Sequence, residues 1–346
     1  MQVVFRVDSS FLIGTGHVMR CLALADELRR VRGATVNFIC CDLQGNIAST
    51  VRQKGYKVHI LAQPCDDLIS QRVDASQTKE VMGCKHDCDW LVVDHYSLDR
   101  EWESQLRGYA RQIMVIDDLA NRPHDCDLLL DQNLYEGMEK RYENLVPSTC
   151  KQLCGPRYVL LRPEFQEWKE RLPRVIGDVR RIMVFFSGSD PTNETLKALQ
   201  AVSIFDRPDI VFEVVCGAAN PYKPEIEQLS GQLPNVTCHR QVANMAELMA
   251  RADLAIGAGG GAMWERCYLG LPAITMVTAE NQLKTTEAVA RKGAILYAGK
   301  AEDISCEDLA EIIAGTVNDV PRLEKVSAAA LAVMAGHGLS WIEGFF

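Results

Sequence analysis

A histidine at the end of a short glycine-containing loop is the residue of this chain best suited to chemistry. The loop contains Gly14, Gly16 and His17, and it follows the apolar strand predicted over Val3–Val7. Glycines let the backbone turn tightly and approach a ligand, and the first turn of the following helix presents unpaired N–H groups to an anion. A histidine there can move a proton near neutral pH. The pattern indicates an enzyme site, although such turns also occur in α/β proteins that bind nothing there.

A run of three glycines, Gly259–Gly261, joins a predicted strand to a predicted helix in the second half of the chain. Three glycines in a row carry a high conformational entropy cost, and close approach of a diphosphate to the helix N-terminus explains them better than packing alone. Glu265 lies about one turn into that helix. Its carboxylate could accept hydrogen bonds from a ribose diol, or it could be a solvated residue favoured by the helix dipole.

Two other loops of the second half carry polar groups directly after predicted strands. Ser187 and Gly188 could offer hydroxyl and N–H groups to a phosphate, or they could form a plain turn. Asn281 and Gln282 could hydrogen-bond a sugar or a phosphate, or Asn281 could cap the following helix. The spacing of these residues does not separate the readings.

The first half adds two strand ends with polar side chains. Asp94 and Tyr96 follow one buried-looking strand, where Asp94 could cap a loop and Tyr96 could line a sugar pocket. Asp117 and Asp118 follow the next strand and could hold Mg²⁺, although two adjacent carboxylates are more often loop residues. These residues lie where α/β proteins build their sites.

One cluster of thiols and imidazole is the candidate for a metal site. Cys84, His86 and Cys88 lie close together in sequence, but their spacing matches no common zinc pattern. We therefore predict surface thiols there and no bound metal. No P-loop is present, and no dinucleotide fingerprint follows a strand, so no cofactor is expected.

The composition restricts the class of protein. The chain has 346 residues, a net charge of -9 and no basic run, which argues against a nucleic-acid partner. No window approaches 18 uninterrupted apolar residues, and the N-terminus has no apolar signal region, so we expect no membrane contact and a cytoplasmic location. We also expect a monomer or a weak oligomer.

Short apolar strands alternate with helical patterns along the whole chain, which predicts parallel sheets in an α/β fold. The predicted strands are Val3–Val7, Thr35–Cys41, Lys57–Leu61, Trp90–Val93, Gln112–Ile116, Leu128–Leu130, Arg181–Phe186, Ile210–Val215, Val236–His239, Leu254–Ile256 and Ala273–Val277. Helices are predicted between them, among them His17–Arg32 and Arg100–Arg111, and two more end the chain. We expect two Rossmann-like domains facing a cleft, over 1–172 and 173–346.

Several motifs in this order resemble one family, the UDP-2,4-diacetamido-2,4,6-trideoxy-β-L-altropyranose hydrolases of pseudaminic acid synthesis. The similar segments are Asp8–Ser10, Ile13–Cys21, Asp94–Tyr96, Cys154–Phe165, Ser187–Asp190, Asn244–Met249, Gly260–Glu265 and Asn281–Gln282. The pattern of the second domain is also similar to that of GT-B glycosyltransferases, including the lipid II-forming N-acetylglucosaminyltransferase. It therefore implies UDP-sugar binding more firmly than hydrolysis. One departure is the triple glycine, which stands where some relatives have serines and leaves phosphate contact to backbone N–H groups.

The resemblance implies a GT-B fold and a metal-independent reaction in which water replaces UDP at the anomeric carbon. It places the catalytic histidine at His17 and a pocket tyrosine at Tyr96, and we expect Asp8 to hold the tautomer of His17. The expected partner is a UDP-linked diacetamido sugar. The expected substrate-binding residues are Gly14, Gly16, Arg20, Asp94, Ser187, Gly188, Met245, Gly260, Gly261, Ala262, Glu265, Asn281 and Gln282.

Two other functions remain open from the sequence. A GT-B glycosyltransferase would share the UDP-sugar site and use an acceptor alcohol in place of water. A non-catalytic UDP-sugar-binding protein would bind the same ligand without consuming it, and the position of His17 argues against this reading.

Overall fold

The computed structural model describes residues 1–62, 70–217, 219–240 and 242–346, and the chain forms two compact units. The first unit comprises Met1–Leu160 and His337–Phe346, and the second comprises Leu161–Gly336. This division differs from the expected domains 1–172 and 173–346, because the first unit ends at Leu160 and also includes the C-terminal segment His337–Phe346. The physical reason is burial, since Ile342 is fully buried in the apolar core of the first unit.

Seven parallel strands form the sheet of the first unit, in the order β3-β2-β1-β4-β5-β6-β7. The strands are β1 (Gln2–Val7), β2 (Thr35–Cys41), β3 (Lys57–Leu61), β4 (Cys88–Asp94), β5 (Ala110–Ile116), β6 (Leu128–Asp131) and β7 (Lys151–Cys154). The helices are α1 (Gly16–Arg32), α2 (Ala48–Gln53), α3 (Gln71–Met82), α4 (Arg100–Leu106) and, at the C-terminus, α13 (Trp341–Phe345). The central strands are nearly all apolar, as is typical of parallel strands covered on both faces.

Six parallel strands form the sheet of the second unit, in the order β10-β9-β8-β11-β12-β13. They are β8 (Arg181–Phe185), β9 (Val211–Cys216), β10 (Val236–Arg240), β11 (Leu254–Ala258), β12 (Ala273–Val277) and β13 (Leu296–Lys300). The helices are α5 (Pro163–Arg171), α6 (Glu194–Phe205), α7 (Lys223–Ser230), α8 (Met245–Arg251), α9 (Gly261–Tyr268), α10 (Glu280–Arg291), α11 (Cys306–Val317) and α12 (Val320–Val333). Both units are therefore Rossmann-like, and the predicted α/β class is confirmed.

The largest differences from the sequence prediction are two strands and one helix boundary, whereas other boundaries differ by one or two residues. The strands β7 and β13 were not predicted, because each lies at an edge of its sheet and has only one buried residue. The helix predicted over Arg100–Arg111 ends at Leu106, because the chain turns near Gly108 and enters β5 at Ala110. In each case, pairing with a neighbouring strand of the sheet determines where the strand forms. None of the helices in the described ranges is long and apolar enough to cross a membrane.

The C-terminal segment should contribute to the stability of the first unit. Replacing Ile342 by alanine removes a fully buried side chain, so we expect the free energy of unfolding to fall by about 2–5 kcal/mol. The matched control is Ile204→Ala, because Ile204 is 50% exposed and its loss should cost less than about 1 kcal/mol. Urea titrations followed by circular dichroism measure both values. Equal effects of the two substitutions would contradict the placement of the segment in this core.

Candidate active site

The first polar site lies where the order of the strands reverses in the sheet of the first unit. There β1 lies between β2 and β4, and ligands of such sheets bind beyond the carboxyl ends of the strands at this point. The chain enters α1 just after β1, which places His17 in the first turn of that helix, and Asp94 is the last residue of β4. His17 Nδ1 lies 2.5 Å from Asp94 Oδ1, so the structure brings these two predicted residues together.

Arg20 holds Asp94 from the next turn of α1. Its Nε and Nη2 donate to the two carboxylate oxygens of Asp94 at 2.6 and 2.7 Å, and its Nη1 donates to Asp118 Oδ2 at 3.1 Å. Burial raises the pKa of Asp94, but the charges and hydrogen bonds of Arg20 and His17 outweigh burial and hold this pKa well below its ordinary value. Asp94 is therefore ionised at neutral pH.

The ionised carboxylate determines which nitrogen of His17 carries the proton. An oxygen of Asp94 at 2.5 Å from Nδ1 requires a proton on that nitrogen, because two lone pairs would otherwise repel each other. In the neutral imidazole with its proton on Nδ1, the opposite nitrogen, Nε2, has the lone pair, and no described residue hydrogen-bonds to it. Such a histidine can accept a proton from a reacting group.

Tyr96 completes the surroundings of the histidine. Its ring packs edge-on against the ring of His17, with centroids 4.6 Å apart and an interplanar angle of 85°. Its hydroxyl donates to Asp118 Oδ1 at 2.8 Å. Burial and the charge of Asp118 raise the pKa of Tyr96 well above its ordinary value, so the phenol stays protonated. Tyr96 can therefore line one side of the site and orient His17. Asp118 connects Tyr96 to Arg20, because it accepts hydrogen bonds from both.

Asp8 does not hold His17, and this part of the sequence prediction is wrong. Its carboxylate accepts from Arg6 Nη1 and Nη2 at 2.7 and 2.9 Å, from the backbone N–H of Cys41 at 2.7 Å, and it lies 3.1 Å from His95 Nε2. The reason is strand geometry: Arg6 and Asp8 are two residues apart and therefore lie on one face of the chain. Asp94 takes the role that was assigned to Asp8.

The two glycines before His17 have different reasons for their identity. Gly14 has φ of 79° and its N–H donates to Ser10 O at 2.9 Å, so a tight turn requires it. Gly16 begins α1 with φ outside the left-handed region, and a Cβ added there would contact nothing within 4 Å. Neither backbone strain nor packing therefore requires glycine at position 16. The missing side chain leaves space beside His17.

The adjacent carboxylates Asp117 and Asp118 are occupied by protein donors. Asp117 accepts from Arg122 Nη1 at 2.8 Å and from the backbone N–H of Ala120 at 2.8 Å, whereas Asp118 accepts from Arg20 and Tyr96. The arrangement is an ion-pair network. Within the described ranges, no group of three His, Cys, Asp or Glu side chains could hold a metal ion.

The thiols near residue 86 are not both on the surface. Cys84 is exposed as predicted, but Cys88 is buried in β4 and its thiol donates to Trp90 O at 3.0 Å. The prediction of surface thiols is therefore wrong for Cys88, because the strand begins there and turns this side chain into the core.

The second polar site lies at the corresponding position of the other sheet. There β8 lies between β9 and β11, and the loops after β8 and β11 carry the predicted phosphate-binding residues. Ser187 Oγ accepts from the N–H of Asp190 at 2.7 Å, and Gly188 O accepts from Ala219 N at 3.0 Å. Asp190 in turn accepts from two N–H groups at the start of α6. The loop after β8 is therefore built by its own hydrogen bonds.

The three consecutive glycines do not share one explanation. A Cβ at Gly259 would overlap the side chain of Thr286, so packing requires this glycine, against the expectation from sequence. A Cβ at Gly260 would make only an ordinary contact of 3.5 Å with Gln282 Nε2, and one at Gly261 would meet nothing within 4 Å. Gly260 and Gly261 therefore remain candidates for close approach of a ligand, and Ala262 follows them in the first turn of α9.

Glu265 is paired, which excludes a freely solvated residue. Its Oε1 lies 3.1 Å from Arg162 Nη2, and the same guanidinium lies 2.7 Å from Glu164 Oε1. The side chains of Arg162 and Glu265 are 18% and 17% exposed, so the pair is mostly shielded from water. Sequence reasoning did not single out Arg162, because nothing in its local pattern marks it. Only its position inside a segment of the family resemblance could have drawn attention to it.

The remaining predicted ligand-binding residues of the second unit are Asn281, Gln282 and Met245, and the structure gives them less support. Asn281 and Gln282 lie in the first turn of α10, and Gln282 Oε1 accepts from the backbone N–H and the hydroxyl of Thr278 at 3.1 and 3.2 Å. Asn281 does not cap α10, because the residue before this helix is Ala279. Met245 begins α8 but its side chain is buried in an apolar cluster. Its predicted ligand contact is therefore wrong for the side chain, because the helix turns it into the core.

Comparison with known proteins supports the resemblance that the motifs indicated. Residues 184–337 match the glycosyltransferase family 28 C-terminal domain. The chain is 27% identical over 290 residues to an uncharacterized protein of Methanocaldococcus jannaschii, covering 82% of this chain and 57% of that protein. It is also 27% identical over 295 residues to the UDP-2,4-diacetamido-2,4,6-trideoxy-beta-L-altropyranose hydrolase of Campylobacter jejuni, covering 85% and 97% of the two chains. The chain thus spans little more than half of the first of these relatives.

Solved structures define the class of fold. MurG of Acinetobacter baumannii matches with a TM-score of 0.60 at 14% identity, covering 96% of this chain and 94% of that one. UGT89C1 of Arabidopsis thaliana complexed with UDP matches with a TM-score of 0.65 at 13% identity, covering 99% and 97%. The fold is GT-B-like, with two parallel-sheet Rossmann-like domains.

The different reasons for the glycines can be tested by their effects on stability. We expect Gly259→Ala to lower the free energy of unfolding by about 1–3 kcal/mol, because the new methyl group overlaps Thr286. Gly261→Ala should leave stability unchanged or raise it by up to about 1 kcal/mol, because alanine favours the helix and the position is open. Thermal and urea unfolding of the two variants compares them directly. A destabilised Gly261→Ala would show that packing explains this glycine too.

Proposed function

We propose that this chain is an enzyme that hydrolyses a UDP-linked diacetamido sugar, with water replacing UDP at the anomeric carbon. One observation carries the proposal: His17 has Nδ1 fixed on the ionised Asp94 and has Nε2 available as a proton acceptor. A protein that only binds a ligand has no need of a histidine oriented in this way. The identity of 27% to a hydrolase of such a sugar across 97% of that protein agrees with the chemistry.

The proposed reaction has one proton transfer and one displacement. A water molecule attacks the anomeric carbon, and His17 Nε2 takes a proton from it as the new C–O bond forms. The bond between the anomeric carbon and the phosphate oxygen breaks, and UDP leaves with the electron pair, so inversion at the anomeric carbon is expected. Asp94 stabilises the imidazolium that results, because its negative charge lies 2.5 Å from Nδ1. Proton transfer of this kind contributes about 10²–10⁴-fold to the rate.

The second unit supplies groups suited to the UDP part of the substrate. The N-terminus of α9 and the loop after β8 offer backbone N–H groups for the diphosphate, near Gly261 and Gly188. Fixed dipoles at these points would stabilise the charge that develops on the leaving group. Glu265, which Arg162 holds in place, has the carboxylate needed for the ribose hydroxyls. We propose no metal or cofactor for this reaction.

A glycosyltransferase is the second candidate, and one observation favours it. The match over residues 184–337 is to a glycosyltransferase domain, so the same donor site could serve transfer to an alcohol. An apolar acceptor would have a contact surface at Leu12, which is 86% exposed in the loop before Gly14. The two functions differ only in whether water or an alcohol attacks, and a test without any acceptor distinguishes them.

The first experiment incubates the purified protein with UDP-2,4-diacetamido-2,4,6-trideoxy-β-L-altropyranose in ¹⁸O-water without added metal. We expect ³¹P NMR to show release of UDP that contains no ¹⁸O, because the sugar–oxygen bond breaks, and mass spectrometry to show label in the sugar hydroxyl. Label in the phosphate would contradict attack at the anomeric carbon. Tight UDP binding without release would favour a transferase that lacks its acceptor.

His17 should be needed for turnover and not for UDP binding. We expect His17→Asn to lower kcat by about 10²–10⁴-fold, because the proton acceptor is lost, while UDP binding, which we assign to the second unit, is retained. His59→Asn is the matched control, because His59 lies on β3 at the edge of the same sheet. Turnover assays and calorimetric titration with UDP measure the two effects. Turnover of His17→Asn equal to that of the wild type would rule out this role.

A further inference from the structure

One arginine of the second unit is buried with no carboxylate partner among the residues that the structure describes. Arg266 is only 2% exposed, and its Nη2 donates to the backbone oxygen of Ala258 at 2.7 Å. Its Nε has no hydrogen-bond partner, and no ion pair joins Arg266 to an acid within the described ranges. Two arginines of the first unit differ in this respect, because the fully buried Arg6 and the mostly buried Arg20 are each paired with carboxylates.

An uncompensated buried charge is costly, so its presence calls for a reason. Burying a cation without a partner costs more than burying a neutral group, and proteins therefore pair such charges or bind a ligand with them. Burial lowers the pKa of Arg266 to about 10, with small opposing effects of Cys267 and Glu265. The guanidinium is still positively charged at neutral pH. The nearby carboxylate of Glu265 does not neutralise it by contact, because Glu265 is paired with Arg162.

The guanidinium lies beside the strand ends from which both candidate phosphate loops depart. Its Nη1 is 2.9 Å from the position that a Cβ on Gly257 would occupy, and Ala258 is the last residue of β11. Gly257 is paired with Phe185, the last residue of β8. The loop of Ser187 and Gly188 begins just after β8, and the glycines before α9 begin just after β11. Arg266 therefore lies beneath the place where the strand order reverses.

We propose that Arg266 is a fixed buried charge that binds the diphosphate electrostatically through the glycine loop, without touching it. This inference rests on the proposed function, namely that the second unit binds UDP. A charge in a poorly polarisable interior acts over a longer range than one in water, because less solvent screens it. Backbone N–H groups at the start of α9 would make the direct contacts with the two phosphates. Arg266 would add the attraction of a full positive charge, which backbone groups do not carry.

The alternative is that Arg266 only supports the backbone at Ala258. A structural support would affect every ligand of the second unit alike, because the loop itself would move. A fixed charge affects only ligands that carry phosphate. Uridine and UDP share the base and the ribose but differ in the diphosphate, so the ratio of their affinities separates the two roles.

The test measures binding of UDP and uridine to the full chain by isothermal titration calorimetry at fixed salt. We expect Arg266→Met to weaken UDP binding by about tenfold and to leave uridine binding unchanged, because only the attraction for phosphate is lost. Arg266→Gln should behave in the same way, although its amide can still donate to Ala258 O. Arg266→Lys should keep most of the affinity for UDP, because it keeps the charge.

A matched control removes an arginine at the other end of the same strand. Arg174 donates to the backbone oxygens of Met249 and Ala252, which precede β11, and of Leu269, which follows α9. Burial also lowers its pKa to about 10. Arg174→Met should leave both affinities unchanged. The unfolding temperature of Arg266→Met should equal or exceed that of the wild type, because an unpaired buried charge has been removed.

Each result has a defined meaning. Unchanged UDP binding in folded Arg266→Met and Arg266→Gln would overturn the inference, and so would equal losses of UDP and uridine affinity. If Arg266→Met does not fold, Arg266→Gln gives the same comparison. Failure of the wild type to bind UDP at all would overturn the proposed function, whereas normal UDP binding with no effect at Arg266 overturns only this inference.

Discussion

The short contact between Asp94 and His17 is the interaction on which the site of the first unit depends. The same carboxylate also accepts hydrogen bonds from two nitrogens of Arg20, so one buried anion fixes a histidine and an arginine at once. Its charge is maintained by these neighbours, which lower its pKa against the opposing effect of burial. Loss of the anion would leave the cation partly unpaired and would free the imidazole to rotate.

Both units place polar groups at the same topological position. In each sheet the first strand of the unit has the second and the fourth as neighbours, so two loops diverge from one point. In the first unit this point holds a titratable group, His17, and in the second unit it holds glycines and the start of α9. The chemistry therefore differs between the units although the backbone plan is shared. This division agrees with one unit moving a proton and the other binding an anion.

The sequence predicted the fold well, because the central parallel strands are apolar on both faces. Such strands appear in the sequence as continuous apolar runs. It also predicted the position of His17 at the start of a helix, because glycines after a strand mark a turn. It did not predict the partner of His17, because Asp8 and Asp94 both follow strands and only the order of those strands in the sheet decides between them. Arg162 and Arg266 were missed because pairing and burial are properties of the folded chain.

The charges of the two units show how an acidic chain could hold a diphosphate. The net charge of -9 repels an anion at long range, so attraction must come from groups that acids nearby do not neutralise. In the first unit, Arg6 and Arg20 form ion pairs with carboxylates, so their positive charges are largely neutralised and attract an anionic ligand only weakly. In the second unit the loops after β8 and β11 contain backbone dipoles. Arg266 lies behind them, and no carboxylate among the described residues contacts it. A cation kept unpaired in the interior lowers stability unless a ligand supplies the missing negative charge. The cost of burying it is thus a reason to expect that charge at this point of the sheet.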